Sequence, residues 1–503
     1  MTVGIPNLFW YRTCADRLIA AAETRVRSRR GSHLSSCCIR LSEVYSEPSD
    51  LTPGSGWTRF FKMLNLLSND SKGIGRREFL RIGSLAAGGV TLADLCRRRA
   101  MADNVPLDSA VIQIFLCGGP SQHDTFDPKP LAPMECRPFD SIETAMPGVR
   151  ITEFFPRLAA IFDEFSVVRS VHHGDGSHNH SVHWMQTGRY PDKLIFGQNQ
   201  FPASGTVISR YRGANARGLP PNVAIPDGYY YSTAAYLGSR YDPLEIPDPN
   251  KPDFHVPNLK PIDGITTDRL DDRLQILQGL DRYRRDADTL GQFAAMDAFQ
   301  AAAQDMISGP AVRRAFDISS EDPRLRDRYG RTRLGQGCLL ARRLVEAGVT
   351  FVNVKDYEFF EWDLHGTVGG PGIEGTKTKG PHLDMALSSL IRDLKERGLL
   401  NRVLVQVFGE FGRTPNINTT AGRDHWGNVF TALFAGGGLR HGQVIGSSDA
   451  KGALPLDRPL GPSDLLATMY RFLSISTDIS PIDFSGRPIP LLPSGEPIRE
   501  MFG

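Results

Sequence analysis

The sequence predicts an α/β protein with a doubly wound, mostly parallel sheet and helices on both faces. Short apolar runs alternate with segments of helical periodicity through residues 110–503. This alternation is typical of parallel strands joined by crossover helices. Glycine-rich loops follow several of the runs, and no internal repeat or heptad pattern is visible.

Local patterns justify each element in turn. Buried strands are predicted where short runs are almost entirely apolar, at residues 110–116, 166–169, 222–225, 350–354, 403–408 and 429–435. Helices are predicted where apolar residues recur at helical spacing, at residues 155–162, 178–187, 266–307, 332–347, 383–397 and 462–473. Gly348 and Gly398 end two of these helices. Residues 226–310 form an insertion that combines an extended loop, 226–262, with one or two helices.

The first 102 residues carry an export leader. Arg76-Arg77-Glu78-Phe79-Leu80-Arg81 resembles the twin-arginine signal, and Ala100-Met101-Ala102 provides an A-x-A cleavage site. The alternative is a short amphipathic helix with surface arginines. We expect residues 63–102 to be the signal peptide. Residues 1–62 show no clear periodicity, so we expect them to be disordered or to precede the true start, for which Met63 is a candidate.

This leader predicts the destination of the protein. Its apolar stretch, 82–95, is shorter than the ~20 residues that span a bilayer, so we expect no stable membrane span after cleavage. Engagement of the twin-arginine export machinery predicts a periplasmic or secreted protein. The net charge of +2 excludes a broad basic footprint for nucleic acid. Three cysteines follow the leader without a C-x-x-C pair, which excludes a disulfide framework.

Carboxylates and imidazoles lie among glycines just beyond two predicted strands. Asp363 and His365 are two positions apart, so in an extended loop they point the same way. Glu410 directly follows an apolar strand, and Asp424-His425 comes 14 residues later. Such side chains hold Zn, Mn and similar ions. They predict a metal site, although each group could instead brace or cap its own loop.

Two further stretches carry polar side chains with two interpretations each. Residues 172–183 contain five histidines, which could bind a metal or lie in a solvated loop. Residues 118–127 follow the first strand and include Ser121, His123 and Asp124, which could supply a nucleophile or metal ligands. The alternative is a turn whose polar side chains satisfy its own backbone.

From Ala110 to the C-terminus, the chain resembles the domain-of-unknown-function family 1501, a set of twin-arginine exported bacterial proteins. The resemblance covers nearly the whole mature chain. The matching phrases are Gly118-Gly119-Pro120-Ser121, Asp124-Thr125-Phe126-Asp127, Tyr329-Gly330-Arg331-Thr332, Gly335-Gln336-Gly337-Cys338, Trp362-Asp363, Gly409-Glu410-Phe411-Gly412-Arg413-Thr414-Pro415 and Gly422-Arg423-Asp424-His425-Trp426.

That family is similar to the alkaline phosphatase and sulfatase superfamily, which implies hydrolysis of phosphate or sulfate esters with one or two metal ions. The resemblance implies that Asp363, His365 and His425 share one ion and that Glu410 holds another. Residues 186–191 look like a sulfatase phrase whose modified cysteine lies at the place of His178. The formylglycine mechanism is therefore excluded unless another residue serves.

We therefore expect an exported metal-dependent hydrolase of sulfate or phosphate esters, with polysaccharides among the expected substrates. The expected cofactor is a divalent ion, with Zn, Ca, Mg and Mn all open. We expect Asp363, His365 and His425 to be metal ligands, and Glu410 and Asp124 to bind a second ion or orient water. Arg413 or Arg423 is expected to bind the anionic group. His178 or Ser121 is expected to be the nucleophile or general acid.

Two alternatives remain open. The chain could be a non-catalytic protein of the same fold that binds anionic glycans or a partner protein in the cell envelope. The missing nucleophile at position 178 favours this hypothesis. A purely structural envelope protein would hold no metal at all.

Overall fold

The computed structural model describes residues 108–193, 195–228, 230–256, 309–356, 362–366 and 372–503. These residues belong to one compact unit, Val90–Gly503. The predicted leader, the segment before it and the helical region 266–307 lie outside the described residues.

The strands and helices are numbered here in chain order. The strands are β1 Ala110–Leu116, β2 Ser141–Glu143, β3 Arg150–Thr152, β4 Phe165–Val171, β5 Asn222–Ile225, β6 Leu244–Glu245, β7 Phe351–Asp356, β8 Val403–Phe408, β9 Gly412–Arg413, β10 His425–Trp426, β11 Phe430–Gly436, β12 Gln443–Ile445, β13 Ser447–Ser448 and β14 Pro455–Asp457. The helices are α1 Pro156–Ala159, α2 His178–Thr187, α3 Ser204–Tyr211, α4 Pro310–Phe316, α5 Pro323–Tyr329, α6 Arg333–Ala347, α7 Thr376–Glu396 and α8 Pro462–Phe472.

Eight strands form the central sheet in the order β12-β4-β11-β8-β1-β7-β5-β6. β1 lies in the middle, and its Val111 pairs in parallel with Phe351 on one side and Leu404 on the other. β11 pairs antiparallel with both of its neighbours, whereas the other pairs are parallel. The prediction of a mostly parallel sheet is therefore confirmed.

Helices cover both faces of this sheet. Alternate residues of β1 point to opposite faces, so Ile112 packs in the same apolar cluster as Leu340 of α6 and Leu387 of α7. Val111 belongs to the opposite cluster, which also contains Val207 of α3 and Leu465 of α8. Burial on both faces explains why the central strands are continuous apolar runs, and the doubly wound class is confirmed.

Local patterns predicted six of the eight strands of the central sheet and five of the eight described helices, but not the edge strands β6 and β12 or the helices α3, α4 and α5. The helix predicted to begin at Leu383 begins at Thr376 instead and contains Pro381. Gly380, which precedes that proline, lies against Phe154 with no room for a Cβ atom, so tertiary packing favours helix where the sequence indicates a break. Residues 226–256 are mostly extended loop, as expected, but they contribute the edge strand β6.

None of the helices in the described part of the chain is long and apolar enough to cross a membrane.

Buried His183 makes the fold sensitive to acid. Its side chain is 0% exposed, and its Nε2 accepts a hydrogen bond from the backbone N–H of Gln200 at 3.3 Å. Burial lowers its pKa from 6.5 to about 4. The unfolded chain therefore binds a proton that the native chain excludes between these pH values. The stabilising contribution is complete above pH 6.5 and is lost as the pH falls towards 4.

The free energy of unfolding of the wild type should fall between pH 6.5 and pH 4. We predict that His183→Gln makes this fall smaller by roughly 3 kcal/mol. Denaturant titrations at several pH values measure this slope. His255→Gln is the matched control because His255 is exposed, and its slope should equal that of the wild type. Equal slopes for all three proteins would contradict the assignment.

Candidate metal centre

The predicted site residues lie at one edge of the sheet. β1, β4, β7 and β8 are parallel, so their carboxyl ends lie on the same side, and the antiparallel strand β11 begins there. Such an edge is where open α/β sheets bind ligands. The loops that follow these strands carry the tract of histidines, Asp363, Glu410 and His425.

Glycine allows these loops to approach one another closely. Gly118 has a φ of +99°, and a Cβ atom at this position would collide with the backbone of Trp362 and Asp363. A Cβ atom at Gly422 would collide with the backbone of His365. The backbone N–H of Trp362 also donates to the Cys117 carbonyl at 3.0 Å. The loop that carries Asp363 is thereby attached to the end of β1.

Three imidazoles converge on the carboxylate of Asp363. Its Oδ1 lies 2.8 Å from His365 Nε2 and 3.0 Å from His425 Nε2. Its Oδ2 lies 3.3 Å from His178 Nε2. The Nε2 atoms of His365 and His425 are 2.8 Å apart. These four side chains, His178, Asp363, His365 and His425, are called the candidate metal centre below.

Each ring is oriented by an acceptor at its other nitrogen. Nδ1 of His425 lies 2.7 Å from the Gly176 carbonyl. Nδ1 of His178 lies 2.7 Å from Glu410 Oε1. Nδ1 of His365 lies 3.5 Å from Asp424 Oδ1. With a metal ion bound, the proton of each neutral ring would lie on Nδ1, and the three Nε2 lone pairs would be free to act as ligands. This is the usual arrangement for imidazole ligands of metals.

Glu410 supports the centre from a fully buried position. Its Oε1 also accepts a hydrogen bond from the backbone N–H of Gly118 at 2.9 Å. Its Oε2 is buried without a hydrogen-bond partner among the described residues. An ionised oxygen without a partner is costly to bury, so this atom is a second place where a cation or water would be stabilised.

The electrostatics of the centre favour a cation. Burial opposes the charge on His178, but hydrogen bonds to Asp363 and Glu410 outweigh it and raise its pKa to about 9. Burial would raise the pKa of Asp363, but hydrogen bonds from two imidazoles and from Arg413 hold it well below its usual range. Asp363 is therefore ionised. The raised pKa of His178 indicates that positive charge is stabilised next to this carboxylate.

The donor set fits a divalent metal ion. Ligand atoms of His178, Asp363 and His425 all lie within 4.8 Å of one another, and His365 contacts two of these residues. Two Nε2 atoms at 2.8 Å cannot both present lone pairs unless a proton or a cation lies between them. Imidazole and carboxylate groups together are typical ligands of Zn and other transition metals.

Arg413 is part of the framework of the centre. Its side chain is 1% exposed and donates to Asp363 Oδ1 at 2.5 Å. The same guanidinium donates to the carbonyl of Gly119 at 2.9 Å and to that of Arg423 at 3.0 Å. These contacts occupy the donors that the sequence analysis assigned to an anionic ligand.

Arg423 and Asp124 form a buried ion pair with each other. The guanidinium donates to both carboxylate oxygens, at 2.8 and 2.9 Å, and both side chains are almost fully buried. The structure does not bring Asp124 into the group of converging ligands. Arg423 also donates to the Cys136 carbonyl at 3.0 Å, so this pair serves internal contacts.

The remaining candidates take up internal contacts. Ser121 is 7% exposed, and its Oγ accepts from the backbone N–H of Asp124 at 3.2 Å, which is the turn-capping alternative. Within residues 172–183, His178 alone joins the centre. His173 contacts the Glu410 carbonyl at 2.6 Å, and His183 lies in the core.

Asp424 and the Gly176 carbonyl accept hydrogen bonds that orient imidazole rings, and neither role was predicted from the sequence. Asp424 adjoins His425 in the sequence, so its proximity was available as a signal. A backbone carbonyl 249 residues away from His425 leaves no such signal.

The chain belongs to a protein family of unknown function. The matching family model is described as "Protein of unknown function (DUF1501)" and covers residues 108–502. No curated protein matches the chain.

Solved structures with a similar fold include three hydrolase-related proteins. Phosphonate monoester hydrolase SpPMH from Silicibacter pomeroyi is 13% identical, with a TM-score of 0.37, over 78% of this chain and 76% of that one. PsFucS1 sulfatase from Pseudoalteromonas sp. is 13% identical, with a TM-score of 0.35, over 76% and 70%. A protein in the alkaline phosphatase superfamily from Vibrio parahaemolyticus is 10% identical, with a TM-score of 0.33, over 73% and 66%. TM-scores this low support no inference about activity.

We predict that Gly118→Ala disrupts the centre, because the added Cβ atom separates the end of β1 from Asp363. Gly148→Ala is the matched control, since Gly148 also has a positive φ, +79°, but has nothing within 4 Å of an added Cβ atom. The control should cost only the left-handed strain, about 1–2 kcal/mol. Thermal unfolding and metal content of both variants measure the difference. Retention of metal by Gly118→Ala would show that this close approach is dispensable.

Proposed function

We propose that the protein is an exported, metal-dependent hydrolase of sulfate or phosphate esters. The convergence of three imidazole Nε2 atoms on one carboxylate, each ring oriented through its other nitrogen, is the observation that carries this proposal. The position of the centre at the carboxyl edge of a parallel sheet supports it. Export rests on the twin-arginine leader of the sequence.

The ligands favour a transition metal over Ca or Mg. His178, His365 and His425 would contribute nitrogen, and Asp363 would contribute oxygen. Ca²⁺ and Mg²⁺ bind almost entirely through oxygen, whereas imidazole suits Zn and related ions. When bound, such an ion acidifies water and stabilises negative charge on ester oxygens.

The protein's own groups prepare the centre for an anionic substrate. Arg413 offsets the charge of Asp363, so the ligand set contributes little net negative charge to repel a sulfate or phosphate group. Glu410 holds His178 in the orientation that directs Nε2 inwards. Helix α2 begins at His178, and the positive end of its dipole adds to the attraction for an anion. Glu410 would accept a proton from His178 at Oε1 or from water at its unpartnered Oε2.

A non-catalytic function is the second candidate. Arg413 and Arg423, which the sequence offered for anion binding, are both held in internal contacts, and Ser121 caps its own turn. The described residues therefore provide a place for a metal more clearly than they provide a nucleophile. A protein of this kind would bind the anionic ester through its metal and release it unchanged.

The first test is the metal content of the purified protein. We expect Asp363→Ala and His425→Ala to lose the ion. Glu410→Gln should bind it about 10- to 100-fold more weakly, because it replaces the carboxylate that orients His178 with a neutral amide. His180→Ala is the matched control, since this histidine stacks on Tyr190 and does not enter the centre. Elemental analysis and competition with a chelator provide the readouts. A full complement of metal in Asp363→Ala would contradict the site.

The second test is ester hydrolysis. Chelation should abolish turnover of p-nitrophenyl phosphate or p-nitrophenyl sulfate, and Zn²⁺ or Mn²⁺ should restore it where Ca²⁺ and Mg²⁺ do not. Ser121→Ala should keep the activity, because this hydroxyl is buried in a turn. Turnover that survives complete removal of metal would contradict the proposal. Metal-dependent binding of these esters without turnover would instead establish the non-catalytic function.

A further inference from the structure

Three exposed and two half-buried aromatic rings lie on neighbouring loops. They are called the aromatic surface here, and they comprise Tyr190, Phe196, Tyr230, Tyr236 and Phe484. Tyr190 is 45% exposed, Phe196 63% and Phe484 82%, so these three rings are open to solvent. Phe196 packs against Tyr230 at 4.6 Å, and Phe484 packs edge-on against Tyr236 at 6.1 Å. The rings are therefore held in place although they face solvent.

One end of the aromatic surface adjoins the candidate metal centre. Tyr190 interacts electrostatically with Asp175, the residue before the Gly176 carbonyl that orients His425. The Tyr190 ring stacks on His180 at 5.4 Å with an interplanar angle of 11°. His180 lies two positions after His178 in helix α2. A ligand on Tyr190 would thus lie next to the centre.

The aromatic surface continues away from the centre through Arg189. This guanidinium donates to the Pro490 carbonyl at 2.6 Å, close to the loop that carries Phe484. It also lies 5.2 Å above the ring of Phe201 and interacts electrostatically with Tyr236. Arg189 therefore links Tyr190, its neighbour in the sequence, to Tyr236 and to the segment that carries Phe484.

The mixture of rings and polar groups fits a sugar better than a lipid or an apolar protein face. A pyranose ring has a flat C–H face and a rim of hydroxyl groups. Exposed aromatic rings match the C–H face, and neighbouring groups such as Asp192, Gln200 and Arg189 can bond the rim. A membrane or an obligate protein interface would instead need one continuous apolar patch.

The geometry points to a carbohydrate-binding surface that leads to the metal centre: Tyr190, Tyr236 and Phe484 bind successive sugar rings of a glycan. The glycan's anionic ester then reaches the centre. The identity of the reacting ester rests on the proposed function, whereas binding of the sugar rings does not require a metal.

Affinity electrophoresis of the full-length chain tests this surface. The gels contain dextran, dextran sulfate, chondroitin sulfate, carrageenan or poly(vinyl sulfate), an anionic polymer without sugar rings. We expect at least one polysaccharide to retard the protein and poly(vinyl sulfate) to leave it unretarded. Tyr190→Ala and Phe484→Ala should each weaken the retardation by roughly fivefold, the range of one aromatic contact. Tyr190→Phe should retain it because the ring remains.

Leu456→Ala is the matched control, since Leu456 is 73% exposed in the β13–β14 hairpin and outside the aromatic surface. Metal content and p-nitrophenyl ester hydrolysis should be unchanged in Phe484→Ala, whose ring has no contact with the centre, so loss of glycan binding is distinguishable from failure of the metal centre. Equal retardation of wild type and both alanine variants would overturn the inference. Retardation by poly(vinyl sulfate) alone, or by none of the polymers, would also overturn it.

Discussion

The buried guanidinium of Arg413 holds the candidate metal centre together. It donates to the loop after β1 at Gly118 and Gly119, to the Asp363 carboxylate beyond β7, and to the carbonyl of Arg423 near His425. Removing one partner of a buried, hydrogen-bonded charge costs several kcal/mol, about 3–5 in typical cases. Each of the three guanidinium nitrogens of Arg413 has an acceptor here, so this arrangement is strongly preferred. The three loops converge because this one side chain needs all of them.

A second buried pair extends the same principle. The Arg423 guanidinium donates to both carboxylate oxygens of Asp124 and also to the Cys136 carbonyl. Charges that would be natural contacts for an anionic substrate thus serve as internal supports. The exposed fractions separate the supporting side chains from the candidate ligands. Both arginine side chains are 1% exposed, whereas the side chains of Asp363 and His425 are 19% and 22% exposed.

Much of the fold was predictable from local pattern. β1 and β8 are apolar throughout because both of their faces are covered, and α6 ends at Gly348, whose φ of +116° suits glycine. The start of α7 was not predictable, since Gly380-Pro381 indicates a break in any local scheme. Only the packing of Gly380 against Phe154 explains why the helix continues through it.

For the site, the sequence by itself determined the residue types and the loops that carry them. Strand order and polarity place those loops at one edge, so Asp363, His365 and His425 could be expected together. Only the tertiary structure decided which charged groups face that edge and which are buried behind it. Asp124 has the chemistry of a metal ligand, and Arg413 has the chemistry of an anion-binding group. Whether either side chain serves that role depends on the partners that distant segments bring to it. Those partners lie up to 299 residues away, beyond the reach of any local pattern.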